Sequence, residues 1–279
     1  MKIFNLKVNS GIHAAVEGVN GIVDAALAGF EYSTDEVVSG KGLDELEKIA
    51  ADSSLPAVKD PVFANVLNRP GKLLCIGLNY AAHANATKEE LPGSPTVFCK
   101  FPESLAACGA GIFLPPWEDS YDYEAELVAI LGREAFNVSE EEAEGCIFGY
   151  ACGNDLSLRA AQKRTSQWLV GKALPDFGPC GPCIVTADSI DPKNGLKIQS
   201  YMNGELRQNG NTADMIFSCA QLISYISKYI PLKPGDMIFT GTPSGVIMEK
   251  PVEQRVWIRP GDKVDVVIEG IGTLTNTFI

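Results

Sequence analysis

Glu124 and Glu126 stand two positions apart in YDYEAELVAIL (121–131), inside an apolar run whose composition calls for burial. On a strand, residues two apart share a face. Asp122, Glu124, Glu126, Val128 and Ile130 would then line one side, and Tyr123, Ala125, Leu127, Ala129 and Leu131 the other. Two ionised carboxylates side by side repel each other unless one is protonated or a cation neutralises them, and a hard divalent ion such as Mg²⁺ or Mn²⁺ takes oxygen ligands of this kind. The same segment also fits an amphipathic helix, with Tyr123, Leu127, Ile130 and Leu131 at helical spacing and the glutamates in solvent. A third acid, Asp155 in GYACGNDLSLRAAQ, ends an apolar run and opens a predicted helix, where its simplest role is an N-cap.

The string CGPC (180–183) matches the thioredoxin active-site motif. In that setting the first cysteine opens a helix, whose dipole lowers its pKa. Here GPCGPC carries two prolines and runs into the β-branched CIVTA, which reads as a strand, so a redox role is not expected. A zinc site lacks the second CxxC or close histidine pair. The eight cysteines are scattered, mostly in apolar segments, which suits a reducing compartment.

Around these residues the chain of 279 residues has the make-up of a soluble globular protein, with 46% hydrophobic and 21% charged residues. Its 35 acidic against 23 basic residues give a net charge of -12, which repels nucleic acid and anionic membrane surfaces. No apolar run is long enough to span a bilayer and the N-terminus lacks a signal-peptide core, so a cytoplasmic location is expected. Residues 1–65 read as a small N-terminal α/β domain, with a strand KIFNLKV and an amphipathic helix LDELEKIAA. A linker with prolines 56, 61 and 70 separates it from a larger domain over 70–279.

In the larger region, Ser139 and Glu142 form a capping-box pattern, and 156–169 has helical composition. Met215, Ile216, Cys219, Leu222, Ile223, Ile226 and Ile230 predict a helix from near Asn211 or Thr212 to Pro231. The echoed turns KPGD (233–236) and RPGD (259–262) predict antiparallel strands, with a final hairpin through Gly270 and Gly272. No glycine-rich nucleotide loop is present.

The blocks GLNYAAH (77–83), DYEAELVAILG (122–132), GYACGNDLSLRAAQ (149–162), WLVGKALPDFGPCGP (168–182), MNGELRQNGNTADMIFS (202–218) and LKPGDMIFTGTPSGV (232–246) together resemble the fumarylacetoacetate hydrolase family. The likeness covers about residues 70–279, in family order. It implies an α+β fold built on the mixed β-roll of that family's C-terminal domain, usually as a homodimer, and it favours the strand reading of 121–131. It also implies one Mg²⁺ or Mn²⁺ held by Glu124, Glu126 and Asp155.

By the same resemblance, Lys172 is catalytic. Gln162, Thr242 (as a backbone site for the substrate carboxylate), Gly241, Asn79 and Tyr80 are substrate-binding candidates, and Arg159 is a structural ion-pair partner. His83 is the expected catalytic base. Hydrolytic members pair this histidine with a glutamate three residues on, where this chain has Ala86, leaving Glu89 and Glu90 as candidates to replace it. Leu78 stands where some acylpyruvate hydrolases carry arginine.

Substrates of the family are mostly 2-oxo acids, which chelate a metal through the C1 carboxylate and C2 carbonyl, so that the ion stabilises the enolate. The leading expectation is an acylpyruvate-type hydrolase that cleaves the C3–C4 bond of a 2,4-dioxo acid to give pyruvate and a carboxylic acid. The alternatives are an oxaloacetate decarboxylase, a 2-oxo acid isomerase or hydratase, and a non-catalytic binding relative.

Overall fold

The computed structural model describes residues 1–81 and 92–279. His83, Ala86, Glu89 and Glu90 lie outside them. The N-terminal strands are β1 (Lys2–Val8), β2 (Gly11–Gly18) and β3 (Gly21–Asp24). Next come β4 (Leu73–Gly77), β5 (Thr96–Lys100), β6 (Leu105–Ala106), β7 (Gly111–Ile112), β8 (Tyr121–Asp122), β9 (Ala125–Leu131), β10 (Ile147–Asn154), β11 (Ser157–Leu158) and β12 (Gly178–Thr186). The last are β13 (Lys197–Met202), β14 (Glu205–Asn211), β15 (Met237–Phe239), β16 (Lys263–Ile268) and β17 (Gly272–Phe278).

One mixed sheet runs β3-β2-β1-β12-β10-β9-β15-β4-β5, with β6 added beside β12. A second runs β14-β13-β16-β17-β7, and β8 pairs with β11 in a short ribbon. Helices are short and sit around these sheets, which makes the fold α+β.

Strand β9 is buried along its whole length and lies between β10 and β15 in the large sheet. Ala125, Leu127 and Ala129 face one core cluster together with Tyr123, while Val128 and Ile130 pack in another. Both faces are covered, as a central strand requires. Beyond Glu126 the face that carries the acids is therefore apolar too.

The N-terminal region has its own core around Ile3, Val16, Val23, Val37 and Leu46, with Phe148 of β10 packed against it. Its sheet is continuous with the large one, because β1 pairs antiparallel with β12 from Lys2↔Val185 to Phe4↔Cys183. The helix Leu43–Ala51 and strand β1 have the bounds read from the sequence. The Ser139–Glu142 capping box is formed in both directions. The final hairpin is β16–β17.

Two helices are shorter than predicted. The segment 156–169 breaks into β11, a one-turn helix Arg159–Gln162 and a turn before the helix Leu169–Lys172. The long helix begins only at Cys219 and ends at Ser227. Ahead of it, the Ile216 N–H donates to the Asn79 carbonyl (2.8 Å) and the Phe217 N–H to Asn79 Oδ1 (2.8 Å), which holds Met215–Phe217 out of the helix. Ser218 then caps the helix with Gln221 in a capping box. β15 pairs antiparallel with β9, as expected of the strand after KPGD, and its other edge pairs parallel with β4.

The CGPC string lies in β12, and Cys180 and Cys183 are buried free thiols. Burial pushes Cys183 up to about 12 and raises Cys180 as well, the reverse of a redox-active thiol. Among the described residues no helix is long and apolar enough to cross a membrane.

Candidate active site

The three acids singled out in the sequence come together. Glu124 precedes β9, Glu126 is its second residue, and Asp155 follows β10, whose pairing sets Gly153 opposite Glu126. The Asp155 N–H donates to the Glu124 carbonyl (2.9 Å), and the Glu124 N–H to Asn154 Oδ1 (3.0 Å). One carboxylate oxygen from each of the three acids lies within 4.8 Å of the others, and all three residues are buried.

Buried carboxylates need partners. Lys172 Nζ bridges Glu124 Oε2 (2.6 Å) and Asp155 Oδ2 (2.7 Å). Arg159 donates through Nη2 to Glu124 Oε1 (2.7 Å), through Nε to Asp122 Oδ2 (2.8 Å) and through Nη1 to Gln162 Oε1 (2.9 Å). Lys100 Nζ sits 2.7 Å from Asp155 Oδ1 and also donates to the carbonyls of Leu156 (3.2 Å) and Lys172. Burial alone would lower the Lys172 pKa, but Asp155 and Glu124 outweigh it and raise the pKa, so the ammonium keeps its proton.

Glu126 is the exception. Among the described residues it accepts from the Gly241 N–H (2.9 Å) and forms no ion pair. Burial first, then the neighbouring Asp155 and Glu124, push its pKa well above the usual carboxylate range. A cation among the three acids would relieve both costs. An all-oxygen donor set held within 4.8 Å suits a hard divalent ion, so these residues fit Mg²⁺ or Mn²⁺.

A cavity of about 380 Å³ opens on the cluster. Its polar lining includes Glu124, Glu126, Arg159, Gln162, Lys163, Lys172 and Thr242, and its apolar wall includes Ile76, Leu78, Phe98, Trp168 and Met248. Phe98 and Trp168 meet edge to face at 5.3 Å, and Lys172 Nζ lies 5.2 Å from the centre of the Phe98 ring. A larger cavity of about 510 Å³, lined by Tyr150, Asp191, Lys193 and Cys219 among others, includes none of the three acids.

The other candidates divide. Gln162 lines the cavity, and with Oε1 held by Arg159 it offers its amide NH₂. Thr242 lines the cavity, and its hydroxyl is committed, donating to the Ala125 carbonyl (2.8 Å) and accepting from Gln208 Nε2 (2.7 Å). Gly241 reaches Glu126 through a backbone at φ 96°, where an added Cβ would come 2.7 Å from that of Asn79.

Asn79 is buried, with its amide donating to the Phe217 (3.0 Å) and Thr240 (2.7 Å) carbonyls. It therefore shapes the site wall and does not line the cavity. Tyr80 is also buried outside the lining, and among the described residues its hydroxyl has no hydrogen-bond partner. Burial and then the charge of Glu126 raise its pKa.

Arg159 is an ion-pair residue as expected, although it holds Asp122 and Glu124. Sequence reading missed Lys100. Its one signal was TVFCK, a strand that puts Phe98 and Lys100 on the same face.

Residues 72–279 match the family described as fumarylacetoacetate (FAA) hydrolase C-terminal. The chain is 32% identical over 280 residues to the mitochondrial oxaloacetate tautomerase FAHD2B of Bos taurus, covering 97% of this chain and 88% of that one. It is 41% identical over 214 residues to the oxaloacetate tautomerase YisK of Bacillus subtilis, covering 75% and 70%. Among solved structures, fumarylpyruvate hydrolase from Pseudomonas aeruginosa in complex with Mn²⁺ and pyruvate superposes with a TM-score of 0.69 at 30% identity, covering 80% of this chain and 98% of that one.

Proposed function

The chain belongs to the fumarylacetoacetate hydrolase family, and on that footing we propose a divalent-metal enzyme of 2-oxo acids that interconverts keto and enol oxaloacetate. The observation that carries this reading is the buried Glu124–Glu126–Asp155 cluster, whose two glutamates line a cavity, with Lys172 held against it. Two relatives that span most of the chain bear the name of that activity.

Tautomerisation moves one proton off C3 and one onto the C2 oxygen, with no change in oxidation state. A divalent ion held by Glu124, Glu126 and Asp155 supplies Lewis-acid stabilisation of the negative charge that develops on the C2 oxygen. Lys172 Nζ, a protonated group that lines the cavity beside the cluster, is assigned the proton exchanged with that oxygen. Gln162 NH₂ and the Thr242 backbone N–H are assigned the C1 carboxylate. Proton transfer at C3 is assigned to His83, which lies outside the described residues. Phe98, Trp168 and Met248 give the cavity an apolar wall.

A second reading is hydrolysis of a 2,4-dioxo acid, favoured by the likeness to the fumarylpyruvate hydrolase bound to Mn²⁺ and pyruvate. Against it stands Ala86 in place of the glutamate that hydrolytic relatives use with His83 to activate water. Decarboxylation of oxaloacetate would use the same cluster.

The test is a substrate panel of oxaloacetate, acetylpyruvate and fumarylpyruvate with Mg²⁺ or Mn²⁺. Enol absorbance is followed for tautomerisation, substrate loss for cleavage, and evolved CO₂ for decarboxylation. Faster loss of the oxaloacetate enol band without CO₂ supports the tautomerase. Cleavage of the acylpyruvates with no effect on oxaloacetate would replace it by the hydrolase. The homodimer is likewise a proposal, tested by sedimentation equilibrium.

A further inference from the structure

Four acids and three bases are buried together at the site: Asp122, Glu124, Glu126 and Asp155 against Lys100, Arg159 and Lys172. Four negative and three positive charges leave a formal -1. A divalent ion takes the site to +1, and the C1 carboxylate of a 2-oxo acid takes it to zero, so these residues balance a monocarboxylic substrate. A second carboxylate in a cavity of this kind calls for one more cation.

None of the three buried bases can supply it. Arg159 is held by Asp122, Glu124 and Gln162, Lys172 by Glu124 and Asp155, and Lys100 by Asp155 and two carbonyls. The wall at Leu78, Phe98 and Trp168 is apolar. Lys163 lines the same cavity and is exposed, and its ammonium forms no ion pair or hydrogen bond among the described residues. Its backbone is fixed directly after Gln162, because the Lys163 N–H donates to the Arg159 carbonyl (3.1 Å) at the end of the helix Arg159–Gln162. A lysine whose ammonium has no partner among the described residues thus has its backbone anchored beside a residue assigned to the C1 carboxylate.

We infer that Lys163 is the specificity-determining cation that receives the distal carboxylate of a 2-oxo dicarboxylic acid. This deepens the proposed function and rests on it. The residue binds and orients the substrate and takes no part in the proton transfers. It selects four-carbon or longer dicarboxylic substrates over 2-oxo acids with an apolar or neutral tail.

The experiment compares wild type, Lys163→Gln and Lys163→Arg, all loaded with Mn²⁺, on oxaloacetate and on its 4-methyl ester, whose distal end is uncharged. Calorimetric dissociation constants for malate, an inert dicarboxylate, and for oxalate, which lacks the distal group, are measured alongside. In Lys163→Gln, KM for oxaloacetate should rise about tenfold with kcat nearly unchanged, and malate should weaken to a similar extent. The ester and oxalate should be unaffected, and Lys163→Arg should restore most of the loss. Equal effects on both members of each pair, or no effect on any, overturns the inference. Should wild type turn over neither keto acid, the proposed reaction fails, while the contrast between malate and oxalate still decides the role of Lys163.

Discussion

Lys172 is a buried ammonium held by two carboxylates, 2.6 Å from Glu124 Oε2 and 2.7 Å from Asp155 Oδ2. Removing one partner of such a group leaves uncompensated buried charge, at a cost of about 3–5 kcal/mol. Lys172→Met should therefore lower the melting temperature of the metal-free protein. Added Mn²⁺ should raise it by more than in wild type, because the ion would then be the main neutraliser of the acids. A smaller metal-induced shift in the variant, read by calorimetry, would contradict this arrangement. The acids, Lys172 and Gln162 were legible only through the resemblance of their surrounding blocks to the fumarylacetoacetate hydrolase family, since spacing alone left 121–131 open between strand and helix and Asp155 an N-cap. Lys100 was not, since a lysine at the end of an apolar strand ordinarily reads as its solvent-facing terminus. Only the fold shows that it reaches Asp155 Oδ1.

At the level of elements, two short helices carry the cationic side of the site, Arg159–Gln162 and Leu169–Lys172, and they meet at Gly171. A Cβ there would lie 2.3 Å from the Gln162 backbone nitrogen and 2.5 Å from its Cα. Gly171→Ala should push the helices apart, displace Gln162 and Lys172, and lower kcat/KM on the order of 10²-fold with a stability loss of roughly 1–3 kcal/mol. Unchanged kinetics would show that the contact is not needed. Asn79→Ala should cost roughly 1–3 kcal/mol in denaturant unfolding by leaving buried backbone groups unpaired at Phe217 and Thr240. Hydrophobic spacing gave the core face of the 219–227 helix, but placed its start too early, although Ser218 and Gln221 carry a capping-box pattern that marks it. The residue that sets that start, Asn79, lies 138 positions away from Phe217. The break of 156–169 was hidden for a similar reason, since composition describes helix tendency and not the close approach at Gly171.

Across the whole molecule, the prolines at 56, 61 and 70 marked a change of composition, yet hydrogen bonding does not stop there. The pairing of β1 with β12 carries one sheet from the N-terminal strands to those bearing Glu126 and Asp155. Phe148 of β10 also packs against the N-terminal core. Heat unfolding should accordingly give one transition, with matching calorimetric and van't Hoff enthalpies. Two separated transitions would mean that the regions on either side of residues 65–70 fold independently.

The large sheet brings Glu126 and Asp155 together at the ends of adjacent strands, and the proposed chemistry depends on the ion those acids would hold. Mn²⁺ binding, titrated by calorimetry on wild type and Asp155→Asn, tests this most directly. Wild type should bind one ion per chain, and the variant should bind it at least tenfold more weakly. Equal binding by both proteins, or none by wild type, would contradict it.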